Sequence, residues 1–411
     1  MKFRILREDL LLPLQVVSGV IERRQTLPIL SNVLIEVNAP APKRPDNASG
    51  QPGEGQRPFG CRVELTGTDL EVQLVARTCI EGAESGSAPG SSPGQALDSI
   101  QGRFTVPARK LMDICRLLPE GSELAFEVKL ERVSLRSGTS RFVLGALPAE
   151  NYPNFEAGAP DAEFSCEAQL LRRAIEKTAF AMAQQDVRYY LNGLLLEISA
   201  GQIRTVASDG HRLALFEESV EGMPDAPGSG SGAGARQIIM PRKGVLELGR
   251  LLAHVEEPVS VQISANNVKV AFGAFSFAAK LVEGRYPDYE RVIPKAASRV
   301  VVVDRFDLRG ALTRVAVLSN EKFKGVSLEV GDGVIRLRAQ NPEHEEAEDE
   351  VAAEVSGETF SVGFNATYLL DAINAVASDS VRMSFTDANG SCLIEDLSDS
   401  RHRFIVMPMR L

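Results

Sequence analysis

The sequence is poor in the groups that most often carry out chemistry. Its 411 residues include four histidines (His211, His254, His344 and His402), none at metal-ligand spacing, which argues against a metal hydrolase and implies no cofactor. Five cysteines (Cys61, Cys79, Cys115, Cys166 and Cys392) stand far apart without a C-x-x-C pair. Neither a zinc ribbon nor a disulfide framework is indicated, and reduced core residues are expected. No G-x-x-x-x-G-K-[ST] or G-x-G-x-x-G loop occurs, so no known motif for nucleotide hydrolysis is present. No apolar run reaches about 18 residues. The N-terminal MKFRILREDL lacks the charged, apolar and small-residue succession of a signal peptide, so a cytoplasmic location is expected. The net charge of −10 repels nucleic acid on average and argues against indiscriminate coating of DNA, while leaving room for a locally basic surface.

What is present is repetition. A hydrophobic content of 44% over 411 residues exceeds what one compact core usually holds. The same order of segments recurs three times. Each copy opens with a strand and a helix, beginning at Phe3, Phe164 and Val301. The helical stripes are Leu10, Leu14, Val17 and Ile21, then Leu171, Ala174, Ile175 and Thr178, then Leu308, Ala311, Leu312 and Val315. Asp307 is the expected N-cap of the third. Apolar strands follow at 30–37, 191–198 and 323–330, then paired strands around a polar bend, then second helices within 107–121, 241–255 and 365–379, then closing strands. Two helices and roughly eight strands per copy, with helices on one face of antiparallel sheets, give an α+β class. The expected domains are 1–160, 161–296 and 297–411. Segments 38–60, 82–102 and 225–236 are rich in Pro, Gly and Ser and read as surface excursions between paired strands.

The most enzyme-like cluster is Ser208-Asp209-Gly210-His211-Arg212, which holds a nucleophile, an acid and a base. Asp-Gly between alternating apolar segments is first a hairpin signal. Copy one has Thr68-Asp69-Leu70 at the equivalent place without a histidine, so a turn or ligand contact is favoured over catalysis. The acidic stretch Glu343, Glu345, Glu346, Glu348, Asp349 and Glu350 lacks the spacing of a calcium loop. Copy one carries Lys110, Arg132, Arg136 and Arg141, so a head-to-tail contact between chains becomes possible, closing into a ring if the rotation permits. Basic residues also recur on the helices: Arg172, Arg173, Lys177, Arg309, Arg314, Arg116, Lys243 and Arg250. Dispersed positive charge on helices meets phosphates without reading bases.

The strings TLPILSNVL, LTGTDLE, QDVRYYLNG, ASDGHRLA, GRYPDYERVIP, LSNEKFKGV, NPEHEEAE and the terminal MPMRL, in that order, resemble the bacterial sliding clamps, the β subunits of DNA polymerase III. The resemblance runs essentially end to end. It implies a six-domain ring of two protomers with DNA threaded through it and helices inside. By similarity the DNA contacts are Arg24, Arg109, Gln185, Arg188, Tyr190 and Lys243. The protomer contact would set Phe142 and Leu144 against Val317 and Leu318, with Lys110, Arg132 and Arg141 opposite Glu345, Glu346, Glu348 and Asp349. Arg136 and Thr139 would also contribute, the ionic part being weaker because Thr139 carries no charge. The replicative polymerase, the clamp loader and other proteins would insert a short motif into a cleft between copies two and three.

That cleft would comprise Leu191, Ser208, Gly210, His211, Arg212, Leu213, Pro287, Arg291, Val292, Phe323, Asn365, Tyr368, Ser391, Ile405, Met407, Pro408, Met409, Arg410 and Leu411. Aliphatic and methionine side chains form an adaptable apolar pocket, and a few polar groups set orientation. A terminal MPMRL left frayed would expose apolar surface, so docking is expected. Three readings stand at this point: a DNA-encircling clamp, a peptide-binding scaffold without DNA, and a hydrolase at Ser208 and His211.

Overall fold

The computed structural model describes residues 1–22, 27–38, 61–80, 101–153, 155, 158–199, 201–220, 236–294, 297–387 and 390–410. Among them each copy contributes two α-helices and eight strands. The helices are α1 (Arg7–Val17), α2 (Ala108–Leu117), α3 (Ala168–Thr178), α4 (Arg242–Leu252), α5 (Arg305–Val315) and α6 (Ala366–Ala375). Their expected apolar stripes are the buried faces: Leu10, Leu14 and Val17 on α1, Leu171, Ala174, Ile175 and Thr178 on α3, and Leu308, Ala311, Leu312 and Val315 on α5. Within each copy the two helices pack on each other, α1 on α2, α3 on α4 and α5 on α6.

The N-cap of α5 differs from expectation. Asp304, not Asp307, accepts from the backbone N–H groups of Phe306 and Asp307 at 2.8 and 2.9 Å. Asp307 instead sits inside the first turn, where its charge faces the positive end of the helix dipole. The expected surface excursions lie mostly outside the described residues, but their edges do not. Asn38, Gly102 and Arg236 are terminal residues of strands Asn32–Asn38, Gly102–Pro107 and Arg236–Pro241. Four cysteines are buried as expected, whereas Cys79, near the end of strand Val72–Ile80, is exposed. Burial pushes the thiols of Cys115 and Cys166 up to about 12 and about 11.

The chain forms two compact units, Met1–Glu163 with Glu257–Lys280, and Phe164–Glu256 with Leu281–Leu411. In the first, Lys2–Leu6, Glu123–Lys129, Arg132–Ser137 and Ser140–Gly145 form one antiparallel sheet in that order. A second sheet orders Gly102–Pro107, Asn32–Asn38, Cys61–Thr68 and Val72–Ile80, then continues into strands of copy two, beginning with Phe275–Lys280. The second unit is built on one twelve-stranded sheet in which Arg212–Ser219 of copy two pairs with His402–Val406 of copy three.

A pairing rule therefore joins the copies. The strand after the polar bend of one copy takes the last strand of the next: Leu74 lies opposite Phe277, and Ala214 opposite Phe404. The third strand of this kind is Glu346–Ser356. Its first half pairs with Val334–Gln340 on one side, and only Ala353–Ser356 pair with the strand Arg299–Asp304 on the other. Among the described residues, the outer edge of 346–352 has no strand partner, and neither has the outer edge of Ser140–Gly145. No helix among the described residues is long and apolar enough to cross a membrane.

Candidate functional site

The Ser208–Arg212 bend shows what its side chains are for. The Ser208 hydroxyl donates to the Arg212 carbonyl at 2.7 Å and accepts from the Gly210 N–H at 3.1 Å. Asp209 Oδ1 accepts from the N–H groups of His211 and Arg212 at 2.9 and 3.0 Å. Copy one repeats these bonds: the Thr68 hydroxyl donates to the Val72 carbonyl and accepts from Leu70 N–H, and Asp69 Oδ1 accepts from Glu71 and Val72. The serine and aspartate thus close a turn that needs no imidazole, and His211 stacks on Tyr368 instead, with ring centroids 6.3 Å apart. This geometry removes the hydrolase reading. Gly210 takes the left-handed φ of +88° that glycine adopts without strain, whereas copy one holds Leu70 at +81° in the equivalent place. Asp209→Ala is expected to destabilise the chain by about 1–2 kcal/mol through the orphaned turn amides, checked by denaturant titration against Asp69→Ala.

Behind the bend lies an apolar cluster of Leu191, Leu213, Leu215, Tyr286, Leu393 and Ile405 among others, with Tyr190, Val292 and Ile293 packed against it. Leu191, Leu213, Val292 and Ile405, expected as cleft residues, are brought together here. Arg212 forms the polar wall. Its guanidinium donates to Asp209 at 3.1 Å, to Asp371 and to the Phe180 carbonyl at 2.7 Å, and lies 4.5 Å from the Tyr368 ring centroid. Asp371 and Phe180 were absent from the sequence reading. Asp371 could have been found, since it lies three residues after Tyr368 on α6 and so shares its face.

The tail is docked. Met407 N–H donates to the His211 carbonyl at 2.8 Å, and Met409 N–H to the Gly363 carbonyl at 2.8 Å. Met407, Pro408 and Met409 are half-buried and Arg410 is exposed, while Leu411 lies outside the described residues. Asn365 caps α6 and also donates to the Phe323 carbonyl at 3.1 Å. Ser391 is half-buried, Pro287 is exposed, and the exposed Arg291 is paired with Asp288 at 2.7 Å. Phe323, Met409 and Arg410 also border a groove of about 970 Å³ that continues over Ser327, Arg338 and Glu348.

The residues expected to meet DNA divide. Arg24 lies outside the described residues. Arg109 is exposed on α2, Lys243 is half-buried on α4 and has a polar or electrostatic partner, and Gln185 is exposed in a left-handed conformation. Arg188 donates to both oxygens of Asp186 at 3.0 and 2.8 Å and to the Asp209 carbonyl at 3.2 Å. Those bonds, together with the Arg188 backbone N–H, hold the Asp186 carboxyl at about 2. Arg188 therefore also braces the bend. Tyr190 packs on the apolar cluster, whereas its neighbour Tyr189 is exposed. Several helical cations are paired within the chain: Arg172 with Glu176, Arg173 with Glu218, Arg250 with Glu247 and Arg314 with Asp349, while Lys177 donates to the Ala375 carbonyl. Arg309 is exposed and lies beside the exposed Phe306 ring, 5.5 Å from its centroid.

Most residues expected at a protomer contact fall on or next to the two open-edged strands, whereas Lys110 lies on α2. Lys110, Arg132 and Arg141 are exposed, as are Glu345, Glu346 and Glu348. Asp349 is drawn below the usual carboxylate range by its bond from Arg314, and Glu348 pairs with Arg338 at 3.1 Å, so less acidic charge is available than the sequence suggests. Leu144 is 7% exposed and already belongs to its own core, whereas Val143, absent from the sequence reading, is 51% exposed. Strand alternation explains the exchange: Phe142 and Leu144 face inward, Phe142 only half-buried, and Val143 faces out. Val317 is 76% exposed and Leu318 half-buried on the 3-10 turn Ala316–Leu318.

Three family profiles cover nearly the whole sequence. The DNA polymerase III beta subunit N-terminal domain matches residues 1–40 and 60–156, the central domain 165–288 and the C-terminal domain 290–410. The beta sliding clamps of Pseudomonas aeruginosa and Escherichia coli K12 are 44% and 43% identical over 411 residues, all of both chains. Solved structures of the DNA polymerase III subunit beta from P. aeruginosa and of Caulobacter crescentus pol III beta match over all of both chains, with TM-scores of 0.86 and 0.84 at 42% and 33% identity. A P. aeruginosa clamp bound to griselimycin matches at a TM-score of 0.84 and 42% identity. The chain belongs to the DNA polymerase III β subunit family, the bacterial β sliding clamps.

Proposed function

We infer that two copies of this chain close head to tail into a six-domain ring that encircles duplex DNA without reading its sequence. The ring tethers the replicative polymerase α subunit, the clamp loader and other motif-bearing proteins through the cleft between the Ser208–Arg212 bend, the Tyr286–Val292 segment and the docked tail. It is not an enzyme; processivity comes from linkage. A weak contact to phosphates permits sliding, and topology prevents escape. A cytoplasmic location follows from the DNA and polymerase it serves.

The observation that carries this reading is the unfilled third junction. Within the chain, Phe277 and Phe404 of closing strands are buried opposite Leu74 and Ala214. Phe142 holds the same place in Ser140–Gly145, yet is half-buried on an open edge, and residues 346–352 offer the matching open edge. Two chains placed head to tail can satisfy each other's open edges, as the internal junctions already do within one chain. The domains are read as 1–160, 161–296 and 297–411, the two internal junctions being the pairings already described.

The purified protein is therefore expected at twice the chain mass in sedimentation equilibrium. Glu345→Lys with Glu346→Lys should weaken the dimer at least about tenfold, and Arg141→Glu should restore part of that loss. A wild-type monomer at micromolar concentration would reject the ring.

A further inference from the structure

The segment between copies two and three is held by a device that the equivalent segment after copy one lacks. Both segments carry an aromatic four-residue run, Tyr152-Pro153-Asn154-Phe155 and Tyr286-Pro287-Asp288-Tyr289. The first tyrosines are both buried, but Tyr152 donates to the Thr66 carbonyl at 2.9 Å, whereas the Tyr286 hydroxyl finds no hydrogen-bond partner among the described residues. The second position differs by a hydroxyl. Tyr289 is 6% exposed, donates to the Glu197 carboxylate and accepts from Arg204 Nη1 at 2.9 Å.

The strands beneath have diverged in step. At equivalent cross-strand positions copy one has Glu36, Glu64 and Arg77, whereas copy two has Glu197, Arg204 and Glu217. Only the second order puts the guanidinium in the middle, within reach of both carboxylates and the phenol. Arg204 donates to Glu217 at 3.0 Å, and Arg403 of copy three donates to the other Glu217 oxygen at 2.6 Å. Copy three repeats the order as Glu329, Arg336 and Glu350, with Arg336 3.8 and 2.8 Å from the two carboxylates; among the described residues no tyrosine joins it. The phenol is thus added three residues before Val292, which packs against the apolar cluster of the cleft.

We propose that Tyr289, fixed by Glu197 and Arg204, is a positioning residue for partner binding: it pins the Tyr289–Val292 turn so that Val292 meets an incoming motif in a preformed place. The inference rests on the cleft reading. A pinned wall loses less conformational entropy when the partner docks, so removing the pin costs affinity without removing any contact to the partner.

Griselimycin, the ligand of the P. aeruginosa clamp, serves as the probe. Calorimetric titration should show Tyr289→Phe binding about five- to tenfold more weakly than wild type, equivalent to about 1–1.4 kcal/mol. Dimer mass should be unchanged, and amide exchange at 290–293 should be faster. In a Val292→Ala background the same substitution should cost less than about twofold, because the pin then has little left to position. Unchanged affinity of Tyr289→Phe, or an equal loss in both backgrounds, would overturn the proposal while leaving the cleft in place. Absence of griselimycin binding by wild type would overturn the cleft reading and this inference together.

Discussion

Truncation after Val406 is expected to abolish recruitment of the polymerase α subunit while leaving the dimer and its hold on DNA intact. The cut removes Met407, Pro408, Met409, Arg410 and Leu411, and with them the two backbone bonds that seat the tail on the His211 and Gly363 carbonyls. The core is spared. Ile405 is fully buried and stays paired with Leu213 and Leu393, so the closing strand still seals the junction of copies two and three. What disappears is one wall of the cleft. Losing the contact area of a methionine side chain is worth about 2–3 kcal/mol, or roughly a hundredfold in affinity. Surface plasmon resonance with immobilised α subunit reads the loss directly. Retention of binding within about threefold would place the partner site elsewhere on the molecule.

Much of this architecture is legible in the sequence because it rests on local periodicity. The stripes of α1, α3 and α5 are set by residues three and four apart, and each became a buried face. The bend at Ser208 was legible for a second reason: copy one supplied an internal control in Thr68-Asp69-Leu70, which separated the turn chemistry from the histidine. The family motifs then placed the tail, Tyr368 and Val292 in one region.

What stayed hidden depends on register across strands or on which side of a strand faces out. The Glu197–Arg204–Tyr289 network joins residues up to 92 apart, through strand positions that no local window aligns. Val143 and Leu144 are both aliphatic, and only the pleat shows which one is exposed. The available acidic charge was overstated because Arg314 and Arg338 already neutralise Asp349 and Glu348, and such pairings follow from packing. Asp307 looked like a cap because it precedes the apolar stripe, yet the helix begins earlier, after Asp304.

The second large effect concerns topology. If this protein holds DNA by surrounding it, its residence does not depend on a strong surface contact, and the net charge of −10 agrees with that. A protein bound only through phosphates would leave as salt rises, on linear and circular DNA alike, because counterion release governs its affinity. A closed ring behaves differently. On a nicked circle it can slide but has no end to leave by, so moderate salt should release little of it. Cutting the circle supplies an end, and most of the loaded protein should then run off, while blocking both ends with bulky tethered proteins should restore retention. Weakening the protomer contact through Glu345→Lys and Glu346→Lys should shorten residence on the intact circle, since the ring then opens without an end.

The most direct measurement is gel filtration of the protein loaded onto nicked circular DNA by its clamp loader, before and after a single restriction cut. The ring account predicts co-elution with the intact circle and loss of most of the protein after the cut. Equal retention on circle and line would contradict it.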